Sequence, residues 1–348
     1  MNHLKQIITP LSEWFELNKR DLPWRRTKDP YHVWVSEIML QQTRVEAVKP
    51  YYERFLKTLP TVKDLAEADE ETILKLWEGL GYYSRIRNMQ KAAVQVMEEH
   101  NGTFPAAYDK LLKLKGIGPY TAGAVGSIAF DLPVPAVDGN VLRVMSRLTA
   151  DPSDISLQTT KKHWEEQIKE IMPAEKSGNL NQALMELGAT ICLPNGAPKC
   201  GICPIRKFCE AYRRNSVLLY PVKAEKKARN IEKKNVFFCT DGHNIAICKR
   251  PKKGLLSGLW ELPNTGREIS LPEGLQEFGI LQAEIIPLKN QKHIFTHIEW
   301  HMDCYLIKVT EKTESALLWL TKEEIEKNYA LPSAFRKIWQ DGLQKWKD

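Results

Sequence analysis

No apolar run in the 348-residue chain approaches the roughly 20 residues that span a bilayer, so no membrane helix is expected. The N-terminus, MNHLKQIITPLSEWF, lacks the charged, then apolar, then small-residue order of an export signal. A cytoplasmic location is the expectation. Charge of one sign does not dominate either: 50 Lys and Arg against 43 Asp and Glu leave a formal net of +7. That small excess permits a polyanionic partner without requiring one. Repeats and low-complexity segments are missing. Cysteine is scarce outside one place. Of seven, four (Cys192, Cys200, Cys203, Cys209) share a short stretch, while Cys239, Cys248 and Cys304 are scattered. In a reducing compartment the cluster reads as a metal site rather than as disulfides. The scattered three read as small apolar residues.

What is present divides in two, as the length suggests. Residues 1–214 read as helical, with apolar residues recurring at three and four positions in Glu71–Leu80 and Arg87–Met97. Thr61 with Asp64 three later has the spacing of a capping box. Residues 215–234 read as a linker. Its core, Lys223–Lys234, holds six basic and two acidic residues, suited to a solvated tether or to a polyanion. Residues 235–348 read as an α+β domain. VFFC and IAICKR flank the turn signal Asp241-Gly242 and predict a hairpin. HIFTHIEWHMDCYLIKV reads as further strand and Lys322–Trp346 as helix.

Four places carry chemistry. In Leu111–Val125, LLKLKGIGPYTAGAV, Gly116 and Gly118 permit a tight turn between helices, and Pro119 suits the start of the second. The turn's free amides make a small anion site, fit for a phosphate. Glu37 lies in VWVSEIML. On a helix its neighbours at three and four positions are Val33, Trp34, Leu40 and Gln41, three of them apolar. Such surroundings raise a carboxyl pKa toward that of a general acid at neutral pH. Asp138 closes a Pro-rich loop, LPVPAVDGNVLRV, and by itself reads as a helix N-cap. The cysteines run C-x7-C-x2-C-x5-C, a set that binds zinc or an iron–sulfur cluster.

The hairpin, the Pro-rich loop and Asp138 together resemble the helix–hairpin–helix DNA glycosylase superfamily. Within it, LPWRRTKDPYHVWVSEIMLQQTRV, GLGYYSRIRN and VDGNVLRV resemble adenine DNA glycosylases of the MutY type, over most of residues 20–210. The resemblance implies a mainly α glycosylase domain with an iron–sulfur cluster loop, followed by an α+β Nudix-like domain. It implies a monomeric DNA repair enzyme that flips adenine, mispaired with 8-oxoguanine or guanine, out of double-stranded DNA and hydrolyses its glycosidic bond. This begins base excision repair.

Roles carry over by resemblance. Glu37 protonates adenine N7, and an ionised Asp138 stabilises the oxocarbenium-like sugar. The two carboxyls then need opposite environments, one apolar and one polar. Asn140 helps to hold them. Tyr120 lines the site where the endonuclease III type has a Schiff-base lysine. A phenol excludes that lyase chemistry and implies a monofunctional enzyme. Gln42 and Tyr82 are the wedges, inserted next to the flipped nucleotide and the opposite base; Thr43 and Leu80 lie beside them and touch the opposite base, and Arg25 and Leu40 belong to the adenine pocket. Gly116 and Gly118 meet a DNA phosphate. The four cysteines hold a [4Fe–4S] cluster, although the first gap has seven residues where the family pattern has six, with Lys199, Arg206 and Lys207 set for phosphates.

In the C-terminal domain, ICKRPKKGLLSGLWELP is similar to the Nudix-like domain of the same enzymes. Arg267-Glu268 is not followed by the paired Glu of a hydrolase box, so no pyrophosphate cleavage is expected. Phe295-Thr296-His297 matches a loop, usually Phe-Ser-His, that meets 8-oxoguanine. Two rival readings, a glycosylase–lyase and a non-catalytic iron–sulfur DNA-binding protein, are disfavoured by Tyr120 and by the pair Glu37 and Asp138 respectively.

Overall fold

The computed structural model describes residues 2–225 and 228–347. Lys226 and Lys227 of the expected linker lie outside the described residues. Helices α1 to α7 are Asn2–Lys5, Ile8–Asn18, Pro30–Met39, Val45–Thr58, Val62–Glu67, Glu70–Leu76 and Ser84–His100. Helices α8 to α13 are Tyr108–Leu111, Pro119–Phe130, Gly139–Thr149, Gln158–Lys169, Ser177–Thr190 and Glu210–Arg213. Strands β1 to β8 are Asn230–Thr240, Ile245–Lys249, Trp260–Glu261, Asn264–Gly266, Ile280–Pro287, Gln291–Ile294, Ile298–Lys312 and Leu318–Leu320. Helices α14 (Leu271–Glu277), α15 (Lys322–Asn328) and α16 (Arg336–Lys347) complete the chain. No helix among the described residues is long and apolar enough to cross a membrane.

By contact the chain divides into two compact units, Met1–Glu67 with Asn88–Glu225, and Ala68–Arg87 with Lys226–Asp348. The helical unit is built on α2, α10, α11 and α12, whose Phe15, Met145, Trp164, Leu184 and Leu187 share one core. Each such large apolar side chain contributes about 1.5–3 kcal/mol when fully buried. Helix α3 starts where Asp29 accepts from the backbone N–H of Tyr31 at 2.8 Å and of His32 at 3.1 Å, with Pro30 in the first turn. The expected cap at Thr61 is present: Asp64 Oδ2 accepts from Thr61 N at 2.9 Å, and Thr61 Oγ1 accepts from Asp64 N at 3.2 Å.

Helix α9 is the second helix of the hairpin and is buried along Thr121–Ser127. Gly123 makes this possible, since a Cβ there would lie 1.9 Å from the Pro135 carbonyl oxygen. The two hairpin glycines differ. Gly116 has φ +77° and a Cβ would meet Asn88 at 2.7 Å. Gly118 has φ −95° and open space where a Cβ would stand, so the turn does not require glycine there.

The second unit carries an eight-stranded sheet in the order β3-β2-β1-β7-β5, with β4 on β1, β6 on β7 and β8 on β2. β1 and β7 run parallel, from Asn230 opposite Ile298 to Thr240 opposite Lys308. This pair is the spine of the unit, and Phe238, Trp300, Phe335 and Ile338 form the core against it. The expected hairpin joins β1 and β2, with Asp241 Oδ1 accepting from Asn244 N at 2.8 Å across the turn.

Three boundaries differ from the sequence reading. β1 begins at Asn230, inside the expected linker, because pairing with β7 gives even the exposed Lys233 a sheet partner. The tail is two helices, interrupted at residues 329–335, where Pro332 cannot continue a helix. The helix expected over Glu71–Leu80 stops at Leu76, because Gly79, Gly81 and Tyr82 take left-handed backbone.

The glycine geometry yields a paired test. Gly123→Ala must displace backbone and is expected to cost about 1–3 kcal/mol of stability or more. Gly118→Ala is expected to stay within about 0.5 kcal/mol of the parent. Urea denaturation of both variants decides this, and equal midpoints would refute the close-approach argument.

Candidate active site

Eight residues singled out in the sequence line one cavity of about 600 Å3 in the helical unit: Arg25, Glu37, Leu40, Gln42, Thr43, Tyr120, Asp138 and Asn140. Three elements converge on it. Helix α3 delivers Glu37 and is capped at its end by Leu40, the first turn of α9 delivers Tyr120, and the N-terminus of α10 delivers Asp138 and Asn140.

Glu37 is 6 % exposed. The Tyr120 hydroxyl donates to its Oε2 at 2.5 Å. Burial pushes the Glu37 carboxyl up to about 7; the Tyr120 bond opposes this, the charge of Asp138 adds to it, and Arg25 opposes it. Tyr120 itself is held far above the usual phenol range, first by burial and then by the charge of Glu37. It therefore acts as a fixed hydroxyl donor.

Asp138 combines the two readings that the sequence left open. It is the N-cap of α10, its Oδ1 accepting from Val141 N at 2.8 Å, and it also lines the cavity. Its Oδ2 accepts from Asn140 Nδ2 at 2.7 Å. Burial raises its pKa, while the bonds from Val141 and Asn140 and the charge of Arg143 pull it down. The expectation of one apolar and one polar environment needs correction on this point. Burial raises both carboxyls. They differ in donors, one hydroxyl on Glu37 against a backbone amide, a side-chain amide and a nearby guanidinium on Asp138.

Behind these groups stand residues the sequence did not single out for the site. Arg143 is buried and donates from Nη2 to Asn140 Oδ1 at 2.9 Å and to Gly188 O at 2.8 Å, so it orients Asn140. Gly188 lets α12 approach, since a Cβ there would stand 2.6 Å from Asn140 Cβ. Glu186, 1 % exposed, accepts from Arg20 Nε at 2.7 Å, Arg20 Nη2 at 2.8 Å and Arg25 Nη2 at 2.9 Å. Burial opposes its ionisation, but these bonds outweigh burial and hold the carboxyl down to about 2. Arg25 is thereby fixed on the cavity wall.

Gln42 is exposed and left-handed at φ 60°, a costly conformation that clusters at functional positions. Gly116 and Gly118 are exposed at the hairpin.

The four cysteines surround one small cavity. Burial is the largest cause raising the thiol pKa of Cys200, Cys203 and Cys209, with Cys203 pushed up to about 12 and neighbouring thiols contributing at all three. Buried Arg147 donates from Nη1 to Cys192 Sγ at 3.3 Å. The seven-residue gap is accommodated by left-handed Gly196 and by Lys199 N returning to Ile191 O at 2.9 Å. Among the described residues no group of three or more His, Cys, Asp or Glu is already gathered as for a single metal ion. The donor set, four thiols facing one cavity beside a guanidinium, fits an anionic iron–sulfur cluster. Lys199, Arg206 and Lys207 are exposed around it.

In the second unit, Leu80 is buried and Tyr82 is exposed and left-handed, with φ 48°. The Tyr82 hydroxyl lies 2.7 Å from Thr296 Oγ1. Phe295, Thr296 and His297 form the β6–β7 turn, closed by Phe295 N donating to Ile298 O at 2.8 Å. Phe295 packs edge-on against Trp300, while Thr296 and His297 are exposed. The structure thus joins two of the residues assigned to the opposite base.

Residues 35–174 match the HhH-GPD superfamily of base excision DNA repair proteins, and residues 235–341 match the NUDIX domain. An adenine DNA glycosylase of Rattus norvegicus is 34 % identical over 95 % of this chain and 76 % of its own. One of Buchnera aphidicola is 36 % identical over 85 % of this chain and 84 % of its own. The chain belongs to the adenine DNA glycosylases. A longer member from Arabidopsis thaliana is 34 % identical, and this chain spans 64 % of it. Among solved structures, a thermostable thymine-DNA glycosylase superposes with TM-score 0.56 at 29 % identity, over 61 % of this chain and 98 % of its own. An endonuclease III trapped covalently on DNA gives TM-score 0.51 at 25 % identity, over 61 % and 97 %. Family membership makes the chain a DNA glycosylase, a hydrolase of N-glycosyl bonds, with a helix–hairpin–helix domain and a NUDIX domain.

Proposed function

We propose that this enzyme removes adenine paired with 8-oxoguanine, and with guanine, from duplex DNA, leaving an abasic site without cutting the strand. The observation that carries the reading is the placement of Glu37 and Asp138 on one cavity wall with different donors. Glu37, its proton retained to about pH 7, donates to N7 of the flipped adenine and makes the base a leaving group. Asp138, stabilised as the anion by Val141 N–H and Asn140, faces the cationic sugar that develops as the bond breaks. Water then adds to the sugar. Tyr120 carries no amine, so no Schiff base forms and the lyase route is closed.

Gln42 and Tyr82 fill the space that the flipped nucleotide leaves, and Thr43, Leu80 and the Phe295–His297 turn meet the opposite base. Relative to guanine, 8-oxoguanine has a new N–H at N7, which a hydroxyl such as that of Thr296 can accept. The hairpin amides around Gly116 and Gly118 hold a phosphate. Cys192, Cys200, Cys203 and Cys209 hold a [4Fe–4S] cluster, which stiffens a loop presenting Lys199, Arg206 and Lys207 to the backbone of the DNA.

The assay of choice is single-turnover excision on a duplex with adenine opposite 8-oxoguanine. Product should become a strand break only after alkali. Asp138→Asn and Glu37→Gln should each slow excision by about 100- to 1000-fold, the usual scale for a lost charge-stabilising group, with duplex affinity retained. Breaks without alkali, or near-normal rates in both variants, would overturn the proposal.

The pH dependence follows from the two carboxyls. Excision should fall as pH rises through about 7, when Glu37 loses its proton. It should also fall at low pH as Asp138 is protonated, at a pH above that of an ordinary aspartate because burial raises it. The Tyr120 bond stabilises ionised Glu37, so Tyr120→Phe should move the alkaline limb to higher pH. An alkaline limb that does not move would remove Glu37 from the role of acid.

Purified enzyme should contain about four irons per chain and absorb broadly in the blue. Cys203→Ser should lose iron and weaken DNA binding. Fully active enzyme with one zinc per chain would rule the cluster out.

A further inference from the structure

The segment carrying Tyr82 is held in an unfavourable shape. Gly79 and Gly81 are left-handed at φ 98° and 71°, which glycine tolerates, but Tyr82 follows at φ 48°. A side-chain-bearing residue adopts this conformation only at a steric cost, because its Cβ crowds the following carbonyl oxygen. It persists only where neighbours over-determine it.

The neighbours that do so are Arg85 and Trp77. Arg85 Nη2 donates to Leu80 O at 3.0 Å and to Gly81 O at 3.1 Å. Trp77 Nε1 donates to the same Gly81 oxygen at 3.0 Å. The guanidinium carbon lies 5.4 Å from the centroid of the Trp77 ring and 5.4 Å from that of Tyr82, within cation–π range of both. Burial lowers the Arg85 pKa to about 10, as expected for a guanidinium committed to protein carbonyls and rings rather than to water. At the far end of the Tyr82 ring the hydroxyl meets Thr296 Oγ1 at 2.7 Å.

We propose that Arg85 is a positioning residue for mispair recognition: its guanidinium bridges the Leu80 and Gly81 carbonyls and underlies the Tyr82 ring, holding Tyr82 where its hydroxyl meets Thr296. Arg85 acts through Tyr82 and has no part in the proton transfer. The proposal rests on the reading that Tyr82 and Thr296 serve the opposite base. It goes beyond that reading by making selectivity depend on a residue assigned no contact with DNA. The choice of arginine also follows. One lysine ammonium could approach both carbonyls, but it has no plane to lie over two rings.

The test uses the full-length enzyme and single-turnover excision on two duplexes, adenine opposite 8-oxoguanine and adenine opposite guanine. Tyr82→Ala and Thr296→Ala come first. An unchanged preference in both would refute the reading of these two residues, and the proposal with it. Given a change there, Arg85→Met should weaken binding to the 8-oxoguanine mispair by about tenfold, the factor that corresponds to 1.4 kcal/mol. The preference between the two mispairs should shrink, while the excision rate at saturating enzyme holds. Arg85→Lys, which keeps the charge and one donor nitrogen, should recover part of the preference and guards against misfolding of the methionine variant.

In a Tyr82→Ala background, Arg85→Met should change the preference no further. That non-additivity separates positioning of Tyr82 from general support of the fold. Equal losses on both mispairs that track a lower melting temperature would assign Arg85 a structural role and overturn the proposal. So would an additive effect in the Tyr82→Ala background, or an unaltered preference in Arg85→Met.

Discussion

The hydrogen bond from Tyr120 to Glu37 is the contact on which the proposed chemistry turns. A carboxyl buried on an apolar helix is driven toward its neutral form. A single hydroxyl donor draws it back, and the balance lands at about 7. With less burial Glu37 would behave as an ordinary carboxylate, without a proton at working pH. With less hydrogen bonding it would hold its proton too tightly to give it up. The bond is also short in space and long in sequence, 83 residues apart. It therefore requires α3 and α9 to meet at one depth. Gly123 serves that requirement by letting α9 press against the backbone of the loop before Asp138.

Asp138 answers a different constraint with different means. In the proposed mechanism it has to stay charged in a place that penalises charge, and it gains donors by being a helix cap. Helix α10 needs an acceptor at its start, and the amides there need an anion nearby. One side chain meets both needs. Arg143 then fixes Asn140, which in turn donates to Asp138, and Gly188 admits α12 to complete the wall. Structure and chemistry are not separable here, because the cap and the anion are the same carboxylate.

Legibility in the sequence followed locality. The high pKa of Glu37 could be read from neighbours three and four positions away on one helix. The turn at Gly116, the cap at Thr61 and the hairpin at Asp241 are likewise written within a few residues. Glu186 with Arg20 and Arg25 was not legible, since the partners stand 166 and 161 residues apart. Nor was the burial of Asp138, which depends on elements arriving from elsewhere. Some misses had local signals that apolar periodicity overrode. Pro332 marks the break in the tail, and Gly79 and Gly81 mark the end of the helix before Tyr82. The unit to which Ala68–Arg87 belongs was hidden for another reason. Its ties to the rest of the second unit are long-range bonds, such as Glu71 with Lys249 and Trp260 and Glu78 with the Leu331 amide.

The residue at position 120 shows why the choice between two related chemistries is not made by one functional group alone. A lysine there would bring an amine able to attack the sugar. It would also place a positive charge where the phenol now stands, 2.5 Å from the Glu37 carboxyl. An opposite charge at that range favours the ionised acid by far more than a neutral donor does. Glu37 would then lose its proton well below neutral pH and could not activate a base by protonation. Tyrosine removes the nucleophile and keeps the acid in range in a single substitution. On the proposed mechanism, an enzyme that relies on protonating its leaving group is therefore driven toward a neutral donor at this position, and loss of strand cleavage accompanies that requirement.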